Sequence, residues 1–170
     1  SSAVASVILG GGSSGSSGLN ASIDSTYDVY MVRINKLEVD TDAQDVKIRF
    51  TESGTPNTTS NYDDAGLNID SGSAFDNVFA TNQTSIDLSM NIGNATNEQF
   101  NSIIYIFNAN NSGEYTFCTF ENTMLNNTAT LRGKQGGGVF TSASTVDGIQ
   151  ILGDSTNIDN GTFVLYGLKK

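Results

Sequence analysis

Eighteen acidic side chains, eight basic ones and a single thiol make up the reactive inventory of this chain, and histidine is absent. Without histidine no Ser-His-Asp or Cys-His relay can form, and no imidazole can hold a metal. Cys118 sits in Tyr115-Thr116-Phe117-Cys118-Thr119-Phe120 without a basic neighbour to make it a thiolate, so it reads as a small buried hydrophobe. No glycine-rich loop runs into the Lys-Ser/Thr pair that cradles phosphates. Carboxylate chemistry is what is left. A glycosidase needs two acids flanking a sugar, about 5 Å or about 6.5–9.5 Å apart. Glu52, Asp63, Asp64, Glu98, Glu114 and Glu121 are available, but their spacing pairs no two of them, and most flank turn residues. The inventory argues against an enzyme.

Three further groups could bind rather than react. Asp40-Thr41-Asp42-Ala43-Gln44-Asp45 puts three carboxylates on a short loop, an oxygen set that Ca²⁺ accepts. It lacks the glycine and distal glutamate of an EF-hand, and a solvated hairpin turn is the simpler expectation for Asp40, Asp42 and Asp45; no other cofactor is implied. Tyr62, in Asn61-Tyr62-Asp63-Asp64, is the one aromatic in a polar loop and the candidate for a sugar contact, against the competing expectation that it folds back onto its own domain. The apolar run at residues 3–9 reads as a first strand or as a docking arm, and as an arm it offers Val4, Val7, Ile8 and Leu9 as an assembly contact, because such an arm can add a strand to another subunit's sheet edge.

The elements that must position these groups read as strands. Ser, Thr and Asn number 20, 18 and 19, with 18 Gly and one Pro, the composition of short strands joined by tight turns. Asp45–Glu52 alternates Val46, Ile48 and Phe50 against Lys47, Arg49 and Thr51, and Ser85–Ile92 alternates Ile86, Leu88, Met90 and Ile92 against polar residues. Ile103–Phe107 is continuously apolar and is expected to be covered on both faces. Further strands are expected at Tyr115–Phe120, Thr128–Gly133, Gly138–Thr141, Gly148–Leu152 and Thr162–Leu168, with Lys134–Gly138 as a turn and one helical turn within Ala95–Asn101. The spacing predicts an all-β fold, an antiparallel sandwich of jelly-roll type whose wet face is Asn, Ser and Thr. Residues 1–18 are expected to form an extended arm with a flexible Gly/Ser segment, and 19–170 a single domain. The net charge of −10 opposes nucleic-acid binding, and no apolar stretch reaches the length of a membrane span.

Two segments carry a resemblance. Asp24-Ser25-Thr26-Tyr27-Asp28-Val29-Tyr30, leading into Ile34-Asn35-Lys36-Leu37, then Thr41-Asp42 and Val46–Thr51, and the ending Ile158-Asp159-Asn160-Gly161-Thr162-Phe163-Val164-Leu165-Tyr166-Gly167-Leu168-Lys169, are similar to β-sandwich structural proteins of tailed bacteriophages, especially those of marine bacteria and cyanobacteria. The resemblance implies a non-enzymatic virion protein on the capsid surface or in the tail apparatus. Its partners would be other virion proteins and further copies of itself, or a host-surface glycan if the domain serves adsorption. It brings no active site with it.

Overall fold

The computed structural model describes residues 2–11, 23–72 and 75–169. Twelve strands are present there: β1 (Ser6–Gly10), β2 (Val29–Val39), β3 (Val46–Glu52), β4 (Thr55–Pro56), β5 (Tyr62–Asp70) and β6 (Asp76–Gln83), then β7 (Ile86–Asp87), β8 (Phe100–Phe107), β9 (Thr116–Leu125), β10 (Leu131–Phe140), β11 (Gly148–Gly153) and β12 (Ile158–Leu168). They form two antiparallel sheets. One runs β12-β2-β8-β9-β10-β5-β6, and the other runs β1-β11-β3-β4 with β7 also on β3. The fold is an all-β sandwich, and no helix long and apolar enough to cross a membrane occurs among the described residues.

The alternation legible in the sequence fills the space between the sheets. Val46, Ile48 and Phe50 of β3 and Ile149 and Ile151 of β11 are fully buried from one side. Val32 and Ile34 of β2, with Ile104 and Ile106 of β8, meet them from the other. Cys118 is buried among these residues, and burial pushes its thiol up to about 12, which leaves it inert. The segments at 24–37 and 158–169 are joined in space: β12 pairs with β2, and Gly167 lacks a side chain where the Tyr27 ring lies.

Several expectations need correction. Of the two readings of the N-terminal apolar run, the first strand is the one observed and the arm is not: residues 6–10 are β1, paired with β11 from Ser6↔Leu152 to Gly10↔Gly148. Leu9 is fully buried, Val7 and Ile8 are half-buried, and Val4 makes a bridge to Ile158 that links the two sheets along this edge. From residue 12 onward, the Gly/Ser segment lies outside the described residues. Lys134–Gly138 is not a turn but the middle of β10. Ala95–Asn101 holds a turn closed by the Glu98 amide on the Ala95 carbonyl, at 2.9 Å, and no helix. Ile103–Phe107 is covered on one face only.

Tyr62 is not a loop residue. It begins β5 and is fully buried, with its ring 4.9 Å from that of Phe140 and 6.3 Å from that of Phe50. Its hydroxyl accepts from the Phe50 amide (3.1 Å) and donates to the Asn57 carbonyl (3.0 Å), so it is satisfied inside the core and is no surface platform.

The rest of β5 explains why that strand escaped the sequence. Its inward positions after Tyr62 are Asp64, Gly66, Asn68 and Asp70, while Ala65, Leu67 and Ile69 point out. The inward polarity is met by β10: the Lys134 ammonium donates to Asp64 (3.3 Å) and to the Asp87 carbonyl (2.5 Å), and both side chains of the ion pair are almost fully buried. Burial, with the nearby Asp45 carboxylate, raises Asp87 from 3.8 to about 6. Its folded-state value lies above its unfolded one, so the stability tied to its proton is complete below about pH 4 and is lost as pH rises through about 6. Asp87→Asn is therefore expected to raise stability near neutral pH by about 1–2 kcal/mol, after allowance for solvent screening of a half-buried group, and the gain shrinks to nothing toward pH 4. Paired urea melts across that range measure it; a gain that does not depend on pH contradicts this source of destabilisation.

Candidate functional site

A seven-stranded sheet has two faces, and the described residues cover only one. Three adjacent rows of outward positions on its five strands from β12 to β10 are set by the pairing register, and a further row beyond them, with Thr162, Asn35, Asn101 and Thr123, is polar. The middle row is Tyr166, Met31, Tyr105, Thr119 and Gly137. One side of it runs Val164, Arg33, Ile103, Glu121 and Gln135. The other runs Leu168, Val29, Phe107, Phe117 and Val139. Ile103, Tyr105 and Phe117 are 43%, 38% and 45% exposed, and on β6 Phe79 is 80% exposed. The expected wet face of Asn, Ser and Thr is therefore found only in the row of Thr162, Asn35, Asn101 and Thr123, while the three rows beside it are mainly apolar and aromatic. Isolated exposed apolar residues need no explanation, but a contiguous band across a sheet marks a contact surface.

Charge is nearly missing from the three rows. The chain carries −10 overall, yet the rows hold only Arg33 and Glu121, which cancel. Both are exposed, on β2 and β9, the two neighbours of β8. The Arg33 guanidinium lies 5.8 Å from the centre of the Tyr166 ring, a cation–π contact that orients it over the face.

The glycines of β10 give the face its relief. A methyl group on Gly136 would meet the Ala65 carbonyl at 2.5 Å, and one on Gly138 would meet Ile86 Cδ1 at 2.6 Å, so both are demanded by packing inside the sandwich. Gly137 points outward, where a methyl group would crowd only the Cys118 carbonyl, at 3.1 Å. Two depressions lie on this face. One, of about 340 Å³, is lined by Ile103, Tyr105, Glu121 and Gln135. The other, of about 410 Å³, is lined by Phe117, Val139, Ala65 and Phe79.

The candidates read from the sequence lie elsewhere and apart. Asp40 accepts from the Thr156 hydroxyl (2.7 Å) and from the Asn157 amide and side chain (3.0 and 2.8 Å), and these bonds hold its carboxyl far below the usual range. Asp42 accepts from the Asn94 amide at 3.3 Å, and Asp45 from the Asn91 amide at 2.6 Å. The acids thus latch two other segments, Asp40 the loop at 156–157 and Asp42 with Asp45 the loop at 91–94. Among the described residues no group of three or more Cys, Asp or Glu is gathered to hold a metal ion. The acids considered for hydrolysis are similarly engaged: Glu52 with the Asn57 amide group (2.6 Å), Asp63 with the Asn82 amide (2.7 Å), Asp64 with Lys134, and Glu98 with the Ala95 amide (2.9 Å). Glu114 lies in an exposed turn, and Glu121 is on the outer face.

The residues that sequence reasoning missed are Ile103, Tyr105, Phe117, Tyr166, Phe79 and Gly137. The available signal was the Gly136-Gly137-Gly138 run leading into Val139-Phe140, an unusual cost in a strand unless backbone or a partner approaches closely. Comparison with protein-family models and with curated proteins finds no match.

The glycines separate packing from function. Gly136→Ala and Gly138→Ala are each expected to destabilise the fold by about 1–3 kcal/mol through overpacking. Gly137→Ala should cost under about 1 kcal/mol, since the strand gains rigidity as the Cys118 carbonyl yields. Thermal melts of the three variants check this, and an equal loss at Gly137 would assign that glycine to packing as well.

Proposed function

We propose that this jelly-roll-like sandwich is a non-enzymatic structural protein of a tailed-phage particle, displayed on the capsid surface or in the tail apparatus and working as a homo-oligomer through the outer face of its seven-stranded sheet. The observation that carries the reading is that face: Ile103, Tyr105, Phe117 and Phe79 stand exposed together on a rigid sheet, in a chain otherwise dominated by acidic charge. The phage-like segments support the virion setting, since they supply β2 and β12, which form one end of the same sheet. The reading predicts that the chain is present in purified virions. Phe79→Asp should lower its copy number per particle while leaving its melting temperature unchanged. Absence of the wild-type chain from virions contradicts the reading.

A second reading, a carbohydrate-binding adsorption domain, is favoured by one specific feature. Tyr105 is an exposed aromatic beside Glu121 and Gln135 across a depression, a combination of stacking surface and hydrogen-bonding groups suited to a sugar. A glycan array probed with the wild-type chain and with Tyr105→Ala tests it. A signal that the substitution abolishes supports adsorption; no signal, or one indifferent to Tyr105, removes it.

A further inference from the structure

We infer that the outer face of the seven-stranded sheet binds the same face of a second copy, about a two-fold axis that runs along β8. The inference rests on the assembly reading and names its partner.

The argument is self-complementarity. A two-fold axis parallel to β8 in the plane between two facing sheets leaves Ile103 and Tyr105 opposite their own symmetry mates. It sets β2 of one copy against β9 of the other, and β12 against β10, because β8 is the centre of the order β12-β2-β8-β9-β10. Arg33 and Glu121 share one row on either side of Ile103. The axis therefore places each Arg33 opposite the second copy's Glu121, twice, and both charges of the three rows are neutralised. Adjacent strands are about 4.8 Å apart, so the two residues stand roughly 9.6 Å from each other within one copy, beyond a direct ion pair there. The same operation sets Tyr166 opposite Gly137, both in the middle row, so a large ring meets the one position without a side chain.

Charge elsewhere favours this face over others. Copies that each carry −10 repel over most orientations. The three rows sum to zero, so they offer an approach without that penalty. Two sheets packed this way lie about 10 Å apart with strands within about 30° of alignment, the geometry already used inside the sandwich. β5 and β6 of each copy extend past the partner's β12, leaving Phe79 and its depression outside the contact for another protein of the particle.

Sedimentation velocity on the full chain tests the inference. The wild type is expected to dimerise reversibly. Arg33→Glu or Glu121→Arg alone should raise the dissociation constant by at least roughly tenfold, because each places like charges in contact. The double exchange Arg33→Glu with Glu121→Arg should restore it, and thermal melts should show all three variants folded. A wild type that stays monomeric to its solubility limit overturns the inference. So does a dimer indifferent to both single reversals, and a double exchange that stays monomeric overturns the pairing of Arg33 with Glu121. Failure here is distinct from failure of the assembly reading: a monomeric chain found in virions retains the latter alone, and a dimer absent from virions retains only the former.

Discussion

A two-layer sandwich can dry only one face of each sheet, and this protein is built within that constraint. The inner faces are closed by the core that Val46, Ile48, Phe50 and Ile151 form with Val32, Ile104 and Ile106. The Val4–Ile158 bridge ties the layers along one edge, and Ile92 bridges to Gln44 and to Asn126 elsewhere. Nothing in a two-layer plan covers the outer face of the wider sheet. That face nonetheless carries Tyr105, Phe117 and Ile103 on central strands, whose backbone is hydrogen-bonded on both sides and held rigid. Rigid apolar side chains lose little conformational freedom when covered, so such a face binds at small entropic cost.

The same constraint explains the polar lining of β5. Were hydrophobicity the only guide, β5 would pair one residue out of register and turn Ala65, Leu67 and Ile69 inward. The observed register is held by the Tyr62 hydroxyl, which reaches both β3 and Asn57, and by the Lys134–Asp64 pair. Buried ion pairs add little net stability over an apolar packing, but they penalise any arrangement that separates the partners. Asn122 extends the restraint by accepting from the Lys134 amide (2.9 Å) and donating to the Leu88 carbonyl (2.6 Å), which bridges the layers. The result is a sheet whose apolar residues at the β5 end face outward and lengthen the exposed band.

Legibility in the sequence followed how far each strand obeyed the two-residue period. Val46–Phe50 alternates cleanly and is legible as a half-buried strand; Ser85–Ile92 alternates as cleanly, yet only Ile86–Asp87 pairs as a strand there, with Ile92 in isolated bridges. Ile103–Phe107 is apolar at every position, so a strand with one covered and one exposed apolar face cannot be told from one buried on both. Tyr62–Asp70 inverts the period, and its polarity is intelligible only with Lys134, seventy positions later in the chain. The glycine run in β10 looked like a turn because its conformational freedom suggests one. Its cause is crowding by the Ala65 carbonyl on the neighbouring strand and by Ile86 from the facing sheet, which sequence distance hides. The acids of Asp40–Asp45 were recognisable as a cluster, but the backbone amides that separate them belong to distant loops.

The central claim is that the outer face of the seven-stranded sheet is covered when the protein works. Hydroxyl-radical footprinting of the chain in its native assembly, set against the dilute isolated chain, tests this most directly. The account predicts strong protection of Met31, Tyr105, Phe117 and Tyr166 in the assembly, with Tyr115, in the turn before β9, oxidised equally in both. Equal oxidation of the four face residues in both states would contradict it.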